Sequence, residues 1–87
     1  MEYSIFIKVK AKKELLKLNQ KDRNRIIVLI DSLKNNPRPT SCLKLQGDNS
    51  VYRLRSGVFR ILYLIEDDKL IIEVIKIGHR KQIYRKK

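Results

Sequence analysis

The sequence predicts an α+β fold in two layers: a small twisted antiparallel sheet packed on an N-terminal helical hairpin. Three observations carry this. Apolar residues recur at helical spacing between Ala11 and Leu33. Two β-rich runs flank Ser56-Gly57 within VYRLRSGVFRILY, Val51 to Tyr63. A further β-branched run, Leu70 to Ile77, ends at Gly78. With 87 residues the chain reads as a single domain, 1–87.

Taken in order, Tyr3 to Val9 is aromatic and β-branched enough to be the first strand. Ala11 to Leu18 changes period: Ala11, Leu15 and Leu18 share one helical face and lysines occupy much of the rest. Asn19 is a suitable N-cap, with Asp22 in the first turn where the helix dipole favours an anion. Ile26, Ile27, Leu29, Ile30 and Leu33 then mark a second helix from about Gln20 to Lys34, stopped by Asn35-Asn36-Pro37. The two helices form an antiparallel hairpin whose apolar stripes need a sheet to cover them. Pro37 to Cys42 is a loop, and Leu43 to Gly47 adds a short edge strand. The hairpin follows, then the turn Glu66-Asp67-Asp68-Lys69, then the closing strand. The C-terminal strands thus number three or four.

The hairpin organises the rest. A two-residue turn at Ser56-Gly57 pairs Arg53 with Arg60 and Leu54 with Phe59. Tyr52, Leu54, Phe59, Ile61 and Tyr63 then share the core face, while Arg53, Arg55 and Arg60 share the other. The alternative, a type I turn with a glycine bulge, mixes the faces; the first register keeps every arginine off the apolar side. Like charges directly opposite on a ladder cost stability, so such a pair implies a bound anion.

Composition points the same way. The net charge is +12 and the pI about 10.2, a field suited to polyanions, most often nucleic acid. Acidic residues are absent from Val51 to Ile65 and again after Glu73. The second stretch supplies Lys76, Lys81 and Arg85 as further RNA-binding candidates, along with Arg80 and Tyr84. Tyr84 offers a ring to stack on a base, and His79 is the one side chain whose ordinary pKa lies near neutrality. A lone Cys42 forms no internal disulfide, which fits a reducing cytoplasm, and no Cys/His cluster suggests a metal. MEYSIFIKVK reads as too short and too charged for a secretion signal. No run approaches the ~18 apolar residues of a membrane helix. The expectation is therefore a cytoplasmic protein without membrane or cofactor.

This residue set suffices for one reaction. RNA is cut when its own 2′-hydroxyl attacks the adjacent phosphate. The protein must then hold the chain in line, move the 2′ proton and stabilise added negative charge, with neither metal nor carboxylate pair. Arginines supply charge stabilisation. His79 or Tyr84 could carry proton steps, since arginine is a poor base.

The Y-R-L-R–S-G–x-F-R-x-x-Y hairpin and the G-H-R–x-x-x-Y end resemble the RelE/ParE superfamily of type II toxin–antitoxin toxins, more closely its RelE branch. The resemblance covers nearly the whole chain, including the NNPRP helix stop. It implies a ribosome-dependent mRNA endonuclease acting in the A site without metal. It implies roles for Arg53 in the proton step, Arg55 as a nearby basic site, Arg60 on the scissile phosphate, Arg80 in charge stabilisation and Tyr84 in stacking. Arg53 and Arg55 stand where the best-studied branch has lysines, and the hairpin and the Arg80-to-Tyr84 spacing are shorter than in that branch. The resemblance also implies an acidic RelB-like antitoxin forming a hetero-oligomer, and operator DNA bound by the complex. Two other functions remain: a ParE-like inhibitor of DNA gyrase, and a non-enzymatic nucleic-acid-binding module.

Overall fold

The computed structural model describes residues 2–45 and 50–79. Strand β1 (Ser4–Ile7) leads into helix α1 (Val9–Leu16) and helix α2 (Gln20–Ser32). Strands β2 (Leu43–Lys44), β3 (Val51–Ser56), β4 (Phe59–Glu66) and β5 (Ile71–His79) follow, with a short 3-10 turn at Asp67–Lys69 before β5. The sheet order is β1-β5-β4-β3-β2. The expected antiparallel ladder holds from β2 to β5; β1 joins parallel to β5, so the sheet is mixed at that edge.

Helix α2 begins where its end is satisfied, whereas α1 starts after Lys8 with no side-chain cap. Asn19 caps α2: its side-chain oxygen accepts the backbone N–H of Asp22 at 2.9 Å, and its amide donates to the Asp22 carboxylate at 3.1 Å. Ile26 and Ile30 on α2 and Leu33 at its C-cap are buried, while Ile27, expected in the same stripe, is 45% exposed. The buried set follows i, i+4, i+7, and Ile27 is turned off that line. Helix α1 starts two residues earlier than its apolar period suggests and buries Ala11 and Leu15. These residues meet Tyr52, Leu54, Ile61, Tyr63, Ile65, Ile72, Val74 and Ile77 from the sheet in one core. Each fully buried aliphatic side chain contributes on the order of 1.5–3 kcal/mol.

The hairpin register differs from the expected one. The two-residue loop is Gly57-Val58, flanked by the pair Ser56–Phe59. Gly57 has φ +61°, and a positive φ at the first central position alone is the pattern of a II′ turn, which asks for glycine there. The pairs are therefore Arg55–Arg60, Leu54–Ile61, Arg53–Leu62 and Tyr52–Tyr63, and the Arg53–Arg60 pairing is replaced. The slip is two residues, one full pleat period, so every side chain keeps its expected face.

A second irregularity sits between β4 and β5. Leu62 pairs with Lys76 but Tyr63 pairs with Val74, leaving Ile75 as the extra residue of a β-bulge. Before the bulge the inward residues of β5 are Ile72 and Val74; after it the inward position is Ile77. The bulge therefore inverts the alternation for the end of the strand.

Two contacts close the fold. Where β1 stops, the backbone N–H of Ile77 donates instead to the Glu14 carboxylate at 2.9 Å, and Lys76 Nζ donates to its other oxygen at 3.0 Å. At the opposite end Arg38 grips Asp67 through both terminal nitrogens, at 3.2 and 2.7 Å, and its Nε donates to Tyr52 at 3.0 Å. Tyr3 donates to the same carboxylate at 2.7 Å. Tyr63 donates to the Pro37 carbonyl at 2.9 Å.

Candidate RNA-binding face of the sheet

The helices cover one face of the sheet, and the register puts Arg53, Arg55 and Arg60 on the other. Their exposure is graded: Arg55 is exposed, Arg53 half-buried, and Arg60 only 4% exposed. The expected open arginine face is therefore open at Arg55 and closed over Arg60. Gly78 is the β5 partner of Arg60 and puts no side chain beside it. A guanidinium taken this far out of water must be engaged, and Arg60 is, as is Arg53.

Arg55 and Arg60 share one rung, the second from the hairpin tip. The opposed charges raise local positive potential where arginine's planar fork is best suited to a phosphate.

The structure separates the other candidates. His79 pairs with Phe59, and directly opposed residues share a face, so His79 lies on the helix side, away from the arginines. The rings of Phe59 and His79 meet edge to face, with centroids 6.1 Å apart. The Ile75 bulge is the cause: an unbroken alternation would have turned His79 outward. Lys76 directs its ammonium at Glu14 rather than at the arginine cluster. Arg80, Lys81, Tyr84 and Arg85 lie outside the described residues.

Sequence reasoning missed the Arg38–Asp67 clasp. Its bidentate hydrogen bonds, followed by that from Tyr3, hold the Asp67 carboxyl down to about 2. The same pairing raises Arg38 above the usual guanidinium range, and the Tyr3 hydroxyl is pushed up, chiefly by its bond to Asp67. Burial first, and Cys42 second, raise the Tyr63 hydroxyl. The clasp ties the N-terminus, the Pro37–Pro39 loop and the β4–β5 turn to the sheet. It is a structural device at the end of the β3–β4 ladder opposite the hairpin tip, away from the arginine rung.

Residues 5–84 match the family described as the ParE toxin of type II toxin–antitoxin systems. The chain belongs to the RelE/ParE toxin superfamily. The RelE1 toxin candidate of Methanocaldococcus jannaschii is 33% identical over 98% of both chains. Among solved structures, RelE in the archaeal RelE–RelB complex of Pyrococcus horikoshii superposes with TM-score 0.83 at 27% identity, over 92% of this chain and 97% of that one. A free double mutant of Escherichia coli RelE gives TM-score 0.79 at 28% identity, over 97% of this chain and 92% of that one. The two helices and five-stranded sheet are those of RelE structures, and the chain is a RelE-like member of this toxin superfamily.

Proposed function

We propose that this protein is the toxin of a type II toxin–antitoxin pair that cleaves mRNA in the ribosomal A site. The observation that carries the reading is the Arg55–Arg60 rung with Arg53 on the same face. A fold that keeps two like charges in register accepts a cost that a bound phosphate removes.

In the reaction the 2′-hydroxyl oxygen attacks the neighbouring phosphorus, and the bond to the 5′ oxygen of the next nucleotide breaks. The products are a 2′,3′-cyclic phosphate and a free 5′-hydroxyl. Arg55, with Arg60 behind it, meets the extra negative charge on the phosphoryl oxygens. Arg53, the next position inward on β3, assists at the 2′ oxygen. His79 takes no part on this face, because its ring belongs to the helix side; that leaves Tyr84, with Arg80, to complete the proton and stacking roles that the family resemblance gives them. The reaction draws on side chains alone and uses no cofactor.

The partner of this reading is an acidic, RelB-like antitoxin that neutralises the +12 charge. Support comes from the solved neighbours, which include RelE–RelB complexes. Operator DNA is bound by the toxin–antitoxin complex, and the pair acts in the cytoplasm. The ParE family match supports a second reading, inhibition of DNA gyrase, in which the arginine rung has no phosphate to hold. Mapping 5′ ends on a translated mRNA after brief induction separates the two: breaks within codons mark the nuclease, and growth arrest with DNA damage but intact mRNA marks the gyrase inhibitor.

A further inference from the structure

The tip of the hairpin carries a second feature, on the face away from the arginines. Two cavities of about 300 Å³ each open there, and Phe59 lines both. One lies against α1, with Lys17 and His79 in its wall. The other lies against α2, with Arg25 and Ser56. Arg25 reaches the turn itself: a Cβ built on Gly57 would stand 3.8 Å from one of its guanidinium nitrogens.

The charges lining this groove are unequal in availability. Glu14 and Asp22 line the cavities too; both Glu14 oxygens are engaged within the fold, and Asp22 accepts one hydrogen bond through one oxygen. Glu14 holds Lys76 and the Ile77 N–H. Asp22 accepts from the Asn19 amide at the first turn of α2, where the helix dipole also favours it. Lys17 and Arg25 are exposed. What the two cavities offer a ligand is the Phe59 ring between two exposed cations, Lys17 in one wall and Arg25 in the other. That is the chemistry of a base-stacking platform with phosphate contacts at its rim. The location adds a direction. Ser56–Phe59 is the last rung before the turn, and Arg55–Arg60 is the rung behind it. Adjacent rungs point to opposite faces. A strand held by Arg55 therefore has only the Gly57-Val58 tip to pass before a following base meets Phe59.

We propose that the Phe59 groove is a subsite for a nucleotide flanking the cleavage point, so that single-stranded RNA wraps the hairpin tip from the arginine face to the helix face. This rests on the nuclease reading and extends its substrate contacts beyond the scissile step. Phe59 stacks the base, and Lys17 and Arg25 hold the flanking phosphates.

The test uses the full chain and a 2′-O-methyl RNA hexamer, which binds but lacks the nucleophile. 2-Aminopurine is placed at each position in turn. Stacking on Phe59 is expected to quench one position only, with quenching lost in Phe59→Leu and affinity falling about tenfold. The surface double variant Lys17→Glu/Arg25→Glu should also abolish the quench at unchanged thermal stability, which covers the case of a Phe59 variant that fails to fold. Arg55→Ala should weaken binding overall yet leave the quench in place at saturation. Quenching that survives both groove changes overturns the proposal, as does tighter occupation of the groove by an acidic peptide than by RNA. If Arg55→Ala weakens binding but no position reports on Phe59, the subsite falls and the arginine face stands. If no variant affects binding, both fall.

Discussion

Arg55 stands directly opposite Arg60 on the β3–β4 ladder, one rung behind the hairpin tip. Like charges so placed are unfavourable for folding, and in the proposed function a bound phosphate offsets that cost. Arg55→Glu replaces the repulsion with an attraction and should raise the unfolding free energy by roughly 0.5 kcal/mol, within the usual span for cross-strand charge pairs. The same change should abolish growth arrest. Urea unfolding and a plating assay read the two effects; a less stable, fully toxic variant would remove the functional reason for the pair.

Glu14 takes over the edge of β5 where β1 ends. Its carboxylate accepts the Ile77 N–H and the Lys76 ammonium, in a partly buried setting. Glu14→Ala leaves that N–H without its acceptor and should cost about 2 kcal/mol. Glu14→Gln keeps an oxygen acceptor for Ile77 and should cost less. Denaturant titration of the three proteins checks the order, and equal stability of Glu14→Ala and wild type would show that water replaces the carboxylate without loss.

Asp67 should register in acid. Its carboxyl is held at about 2 in the folded chain by Arg38 and then Tyr3, against an ordinary value of about 3.9 when unfolded. A depressed folded value means stability that is complete above the ordinary pKa and drains away as pH falls through about 2. The melting temperature of the wild type should therefore drop between pH 4 and pH 2. Asp67→Asn should start lower at neutral pH and lose less across that window. Parallel curves for the two proteins would show that the clasp is not coupled to folding.

The helix face assignment has a direct check in two neighbouring residues. Ile26 is fully buried, whereas Ile27 is 45% exposed. Ile26→Ala should cost 2–5 kcal/mol by transfer and cavity terms, and Ile27→Ala less than about 1 kcal/mol. Similar losses at both positions would mean that α2 packs on a different stripe.

Much of this fold is legible from local signals. The α2 cap at Asn19, the stripe from Ile26 to Leu33 and the glycine in the hairpin are all short-range patterns, and each lands within a few residues of the observed element. The membership of the two hairpin faces also survives the two-residue change of register, because the pleat repeats every two residues. What is not legible depends on pairing between distant segments. The bulge at Ile75 is a property of the β4–β5 ladder, and nothing in IEVIKIGH announces it; it alone moves His79 off the arginine face. That β1 joins β5, and in parallel, is a pairing between the two ends of the chain that no local pattern shows. Arg38 and Asp67 lie in a proline-flanked loop and a turn 29 residues apart, with no periodicity to connect them. The burial of Arg60 likewise cannot be read from a strand pattern that treats it like Arg55.

The most direct test of the central claim is primer extension on a translated mRNA after brief induction, with Arg55→Ala as the control, since Arg55 is exposed and its loss leaves the core intact. The account predicts new 5′ ends within codons that vanish when initiation on that mRNA is blocked, and that are absent in the control. Intact mRNA in arrested cells, or breaks that persist unchanged in Arg55→Ala, would contradict it.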